Sequence, residues 1–132
     1  MEIKKADILK IFSQGEKEAP IEACGYLAGK ENTVMKIFPM KNIDDSEEHF
    51  SLDPEEQFKV MREARSEGLE IIGVYHTHPN SPARPSVEDI RLAHDNTKIY
   101  IIASLLSGSK EIKAYKILEG NVKEKILMIG GD

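Results

Sequence analysis

Apolar and polar positions change their spacing several times along the chain, and each change marks an element. Ala6, Ile8, Leu9, Ile11 and Phe12 recur at helical intervals among lysines and glutamates, predicting a helix over roughly residues 4–18. Pro20 ends that helix or separates it from the next element. Gly25-Tyr26-Leu27-Ala28-Gly29 reads as a short strand, Glu31-Asn32 as a turn and Thr33 to Met40 as a second strand. Asn42-Ile43-Asp44-Asp45-Ser46 is loop-like, and a further short strand is expected near His49 to Leu52. Asp53-Pro54-Glu55-Glu56 opens a helix, with Asp53 as N-cap and Pro54 at the first helical position. Phe58, Val60, Met61 and Ala64 form its apolar side, and Gly68 ends it.

The run Ile71-Ile72-Gly73-Val74-Tyr75 lies in a strand expected over about 70–77 and stopped by Pro79. A loop, Asn80 to Pro85, leads to Ser86-Val87-Glu88-Asp89, the first turn of a helix continuing through Ile90, Leu92 and Ala93. Ile99 to Leu105 reads as a strand buried on both faces. Ser107-Gly108-Ser109 is expected to turn, strands to follow near 111–118 and 121–129, and Gly130-Gly131-Asp132 to fray. Strands and helices interleave without a regular βαβ repeat. The fold class is therefore α/β, a mixed β-sheet flanked by helices, with residues 1–132 as one domain.

Composition narrows the function classes. Forty per cent apolar and 31 per cent charged residues describe a globular protein, and the net charge of −5 offers no general attraction to nucleic acid. Cys24 is the sole cysteine, so neither an intrachain disulfide nor a Cys-rich zinc module can form. The N-terminus carries no secretory h-region, and no apolar run reaches the ~18 residues that span a bilayer. A cytoplasmic protein without membrane or nucleic-acid partners is expected.

Candidate chemistry concentrates in one segment. Alternation along a strand puts His76 and His78 on the same face, while Thr77 faces away. Asp89, in the first turn of the following helix, leans back toward them. Two imidazoles and a carboxylate can hold zinc and leave one tetrahedral position for water. Ser86-x-x-Asp89 also has a purely structural reading as a capping box, with Asp89 in place of the usual Glu or Gln.

Glu22, His76-Thr77-His78-Pro79, Ser86 and Asp89 together resemble the JAMM motif of the MPN (Mov34/PAD-1) zinc metalloproteases. Cys24-Gly25-Tyr26-Leu27-Ala28-Gly29 and the final strands extend the likeness over essentially the whole chain, whose length is similar to the compact stand-alone prokaryotic members. The resemblance implies a cytidine-deaminase-like sandwich and one catalytic Zn²⁺ with a bound water, ligated by His76, His78 and Asp89. It implies Glu22 as general base then acid, and Ser86 as hydrogen-bond donor to the developing oxyanion. The implied substrate is the peptide or isopeptide bond after the C-terminal Gly-Gly of a ubiquitin-like or sulfur-carrier protein. An extended glycine tail is thin enough for a narrow cleft.

Competing readings remain at this point. A non-catalytic MPN interaction scaffold is one, although such domains tend to lose motif ligands. A zinc nucleobase deaminase needs a Cys pair that one cysteine excludes, and a His-rich phosphoesterase needs more histidines than the four present. Cys24 reads as a buried core thiol, with a redox-sensitive thiol beside the site as the alternative. His49 and His94 read as surface residues or neighbours of the ligands, and Arg84 as a solvated loop residue or a binder of substrate carboxylate. Oligomeric state, a homodimer included, and substitution of zinc by another divalent ion are open.

Overall fold

The computed structural model describes residues 1–93, 95–106 and 110–131. Its elements run β1 (Glu2–Lys4), α1 (Lys5–Glu18), β2 (Cys24–Lys30), β3 (Thr33–Met40), α2 (Pro54–Ser66), β4 (Glu70–His78), α3 (Val87–Leu92), β5 (Ile99–Ser104), β6 (Glu111–Leu118), β7 (Asn121–Lys125) and β8 (Met128–Gly130). The strands form one sheet in the order β7-β6-β5-β4-β2-β3-β1-β8. β4 and β5 are parallel, as are β1 with β3 and β1 with β8, and the other pairs are antiparallel. The expected mixed sheet with flanking helices is what forms. Among the described residues no helix is long and apolar enough to cross a membrane.

Period-two alternation sends successive side chains of the central strands to opposite faces, and a helix covers each. Leu27, Tyr75 and Ile101 pack with Ile8, Ile11 and Phe12 of α1. Tyr26, Ala28 and Phe38 pack with Val60 and Ala64 of α2. β2 is consequently buried from Cys24 through Gly29, which explains its lack of polar residues. α2 begins as expected, with Asp53 accepting from the Glu55 amide and Pro54 at the first helical position. Gly68 follows its end at φ +76, a conformation that favours glycine.

The sheet is strongly curled, and connectivity alone requires it. β7 and β8 lie at opposite ends of the strand order, yet only Ile126 and Leu127 separate them. Three peptide steps reach at most ~11 Å, whereas eight flat strands would hold their edges ~34 Å apart.

Three expectations need correction, and one short element was not expected. The strand expected over 121–129 is two strands: β7 pairs with β6, and β8 crosses to the far edge to run parallel with β1. Gly130 therefore sits opposite Lys4 in a ladder instead of fraying. His49 to Leu52 is not a strand, because Asn42 serves that backbone: it donates to the His49 carbonyl and accepts from the Ser51 amide. Residues 2–4, three residues too short to show alternation, form β1, so α1 starts at Lys5. The turn expected at 107–109, His94 and Asp132 lie outside the described residues.

Gly25 lets β2 lie close to the β3 backbone on one side and to the Tyr75 ring of β4 on the other. A Cβ on Gly25 would lie 2.3 Å from the Phe38 carbonyl oxygen and 2.5 Å from the Tyr75 ring. Neither neighbour can yield, since Tyr75 is fully buried and its hydroxyl donates to Gln14 at 2.5 Å. Gly25→Ala is expected to lower stability by roughly 1–3 kcal/mol through overpacking, read as a reduced urea midpoint at unchanged slope. An unchanged midpoint would show that these neighbours do yield.

Candidate metal centre

Register brings the site together. In the antiparallel β2–β4 ladder Cys24 is opposite His76, so two residues further on Glu22 falls opposite His78. Directly opposed side chains share a face. Thr77, pointing the other way, extends the pairing: its amide donates to the Ala23 carbonyl at 2.9 Å, and its hydroxyl accepts from the Ala23 amide at 2.9 Å. The Glu22 backbone is held as well, its amide donating to Ser46 and its carbonyl accepting from Asn42. Glu22, His76 and His78 are all buried.

His76 Nε2, His78 Nε2 and Asp89 Oδ2 form a triangle with sides of 3.1, 3.1 and 3.2 Å. Ligands ~2.0–2.1 Å from a tetrahedral zinc have edges of ~3.3–3.4 Å, so the three atoms nearly describe one face of that tetrahedron. His78 Nδ1 lies 2.8 Å from the Pro82 carbonyl, the position of an N–H donor, so the neutral imidazole turns its Nε2 lone pair to the cluster, whereas the protonated ring donates there to Asp89. One proton cannot serve three converging lone pairs; a cation can. Glu22 stands further out, with Oε2 3.9 Å from His78 Nε2. The ligand atoms of Glu22, His76 and His78 also lie within 4.8 Å of one another, so the histidines belong to two overlapping sets. Asp89 Oδ2 lies 3.1–3.2 Å from both imidazoles, closer than Glu22 Oε2 lies to His78.

The capping box is real and belongs to the same construction. Ser86 Oγ accepts from the Asp89 amide, and Asp89 Oδ2 accepts from the Ser86 amide at 2.9 Å. Since the Ser86 hydroxyl accepts there, its proton is left to point elsewhere. The 80–85 loop is pinned by Tyr115 donating to Ala83 and Ser104 donating to Ser81.

The two carboxylates experience opposite electrostatics. Burial, the largest influence on Glu22, combines with the nearby Asp89 and Glu48 charges to push its pKa up to about 8, against the attraction of His78. Burial is also the largest influence on Asp89, but hydrogen bonds from His76 and His78 and from the Ser86 amide outweigh it and hold the group well below the usual carboxylate range. Burial depresses the His76 pKa. For His78 burial acts in the same sense, but Asp89, Pro82 and Glu22 prevail and raise it. Glu22 Oε1 is buried without a hydrogen-bond partner among the described residues.

Two clefts meet at this cluster. One, of about 430 Å³, is largely apolar and includes Phe50, Leu52, Val74, Tyr100 and Ile102 beside His76 and Asp89. The other, of about 900 Å³, is bordered by Glu22, His78 and Ser86. Phe50 stacks on His76 with ring centroids 4.8 Å apart. Neither Phe50 nor Asn42 was identifiable as a site residue by spacing. Cys24 is fully buried, and burial pushes its thiol up to about 12, the behaviour of an inert core thiol. His49 pairs with Asp44 at the cleft rim, and Arg84 is exposed.

The chain matches the family described as prokaryotic homologs of the JAB domain over residues 4–118. It belongs to that family, the JAB/MPN class that the motif resembles. It is 34% identical to a desampylase of Pyrococcus furiosus over 123 residues, covering 92% of this chain and 82% of that one. It is 31% identical to a CysO-cysteine peptidase of Mycobacterium tuberculosis over 125 residues, covering 92% and 86%. The solution structure of a Desulfitobacterium hafniense protein superposes with a TM-score of 0.91 at 34% identity, covering 99% of this chain and 93% of that one.

Glu22 gives a pH signature with a definite sign. Its folded pKa lies above the unfolded value of 4.5, so between pH 4.5 and about 8 the folded state holds a proton that the unfolded state has lost. Its contribution to stability must fall as pH rises through that window. In chelator-treated protein, Glu22→Gln is expected to gain stability relative to wild type between pH 5 and pH 8, seen as diverging thermal midpoints. Parallel pH profiles would contradict the assigned shift.

Proposed function

We propose that this protein is a zinc-dependent peptidase that hydrolyses the peptide or isopeptide bond after the C-terminal Gly-Gly of a ubiquitin-like or sulfur-carrier protein. His76, His78 and Asp89 hold the ion. When bound, zinc supplies Lewis acidity, polarising the acyl oxygen and making water ionisable near neutral pH.

The chain's own residues divide the remaining work. Glu22 takes a proton from the attacking water and returns it to the nitrogen that leaves as the C–N bond breaks. The proton that Glu22 takes from water in the first half of the reaction is the one it gives to the nitrogen in the second, so one carboxylate serves as base and then as acid. Ser86 accepts from the Asp89 amide, which leaves its hydroxyl proton available to the developing oxyanion. His78 is oriented by Pro82, and Asp89 by the Ser86 amide.

The observation that carries this reading is the 3.1–3.2 Å triangle of ligand atoms with a buried, half-unpartnered carboxylate set back beside it. A non-catalytic scaffold has no use for the cost of burying Glu22 without a partner. The substrate class follows the relatives, one named for desampylation and one for cleaving a CysO–cysteine conjugate.

The test is to incubate zinc-loaded protein with carrier proteins extended beyond Gly-Gly and weigh the products. Glu22→Gln is expected to keep stoichiometric zinc and lose turnover by roughly 10²–10⁴-fold, whereas His78→Ala loses both. Undiminished cleavage by the Gln variant would overturn the mechanism.

A further inference from the structure

The two clefts differ in chemistry, and Glu22 indicates which part of the substrate each receives. A departing nitrogen must come within hydrogen-bond reach of the group that protonates it. Glu22 borders the larger cleft and does not border the apolar one. On that reading the chain beyond the scissile bond leaves through the larger cleft, and the acyl side lies along Phe50, Leu52 and Tyr100.

The larger cleft is acidic. Asp44, Asp45, Glu47, Glu48 and Glu88 border it, and no lysine or arginine among the described residues does. Asp44 is engaged by His49 and Ser51, and Glu88 by Arg91. Asp45, Glu47 and Glu48 are exposed and make no ion pair with any described residue. The same Glu22 that serves the reaction borders this cleft, only 2% exposed and with Oε1 unpartnered among the described residues. Three free carboxylates at the rim and one unsatisfied carboxyl oxygen at the base favour donors and positive charge throughout.

We infer that this cleft is a specificity site for a cationic leaving segment, preferring lysine or arginine immediately after the scissile bond and disfavouring aspartate or glutamate. The assignment rests on the hydrolase reading above, whose failure can be told apart from its own. Rim charges act mainly on encounter and are screened by salt, so the preference belongs to kcat/KM at low ionic strength.

The experiment uses three carrier substrates identical except for the four or so residues after Gly-Gly, which are basic, neutral or acidic. Cleavage is measured at about 20 mM and about 300 mM salt. The basic substrate is expected to exceed the acidic one on the order of tenfold in kcat/KM at low salt, with the gap shrinking at high salt. The variant Asp45→Asn/Glu47→Lys, which leaves Glu48 beside Glu22 untouched, should abolish or sharply reduce that order and leave the neutral substrate within about twofold. Asn is chosen at 45 because that residue has φ +47, a conformation Asn tolerates. In parallel, a fluorescent lysine-rich peptide is titrated into metal-free wild type and the variant, with weaker binding to the variant expected. Equal rates across the three substrates overturn the cleft assignment and leave the hydrolase standing. Charge-dependent peptide binding with no cleavage of any substrate sinks the hydrolase and upholds a cation-binding cleft.

Discussion

The register between β2 and β4 is the constraint on which the rest of the molecule depends. It places Cys24 across from His76 and carries Glu22 to His78, so two groups far apart in the chain share one face. The same ladder continues into the paired Thr77–Ala23 hydrogen bonds beneath the cluster. A slip of one residue would send both imidazoles into the α1 core and bring Thr77 to the surface of the site. The tight glycine contacts at Gly25 and Gly73 and the buried Tyr75 oppose such a slip. Packing and site geometry are here one requirement.

That requirement also sorts the carboxylates. Asp89 and Glu22 lie near the same pair of histidines and are both buried, yet their proton affinities move in opposite directions. Asp89 has two imidazoles and a peptide amide; Glu22 has one distant imidazole and an unpartnered oxygen. Environment, not residue type, separates a group suited to ligation from one suited to carrying a proton.

Much of this was legible in the sequence, for local reasons. The His76/His78 alternation, the Asp53-Pro54 helix start and the Ser86/Asp89 cap are each written within four residues, and each appears where expected. Thr77 facing away followed from period two alone. Glu22 was different: a glutamate ahead of an apolar strand carries no local signal, and only the resemblance to a known motif singled it out. No glycine or proline separates the polar β7 from the apolar run Ile126 to Ile129, so the jump to a parallel pairing with β1 was invisible. Phe50 and Leu52 do alternate, but the backbone partner of that stretch is the side chain of Asn42, and an asparagine in a polar loop looks like any other.

The cap at the start of α3 has one more consequence. That helix is six residues long, buries none of them and leaves Val87 85% exposed, so its first turn is held by the Ser86–Asp89 exchange more than by the core. Asp89 keeps its peptide-amide anchor whether or not an ion is beside it. The carboxylate is thus positioned by the chain itself, and under the proposed ligation a cation would arrive at a receptor that needs no refolding of α3.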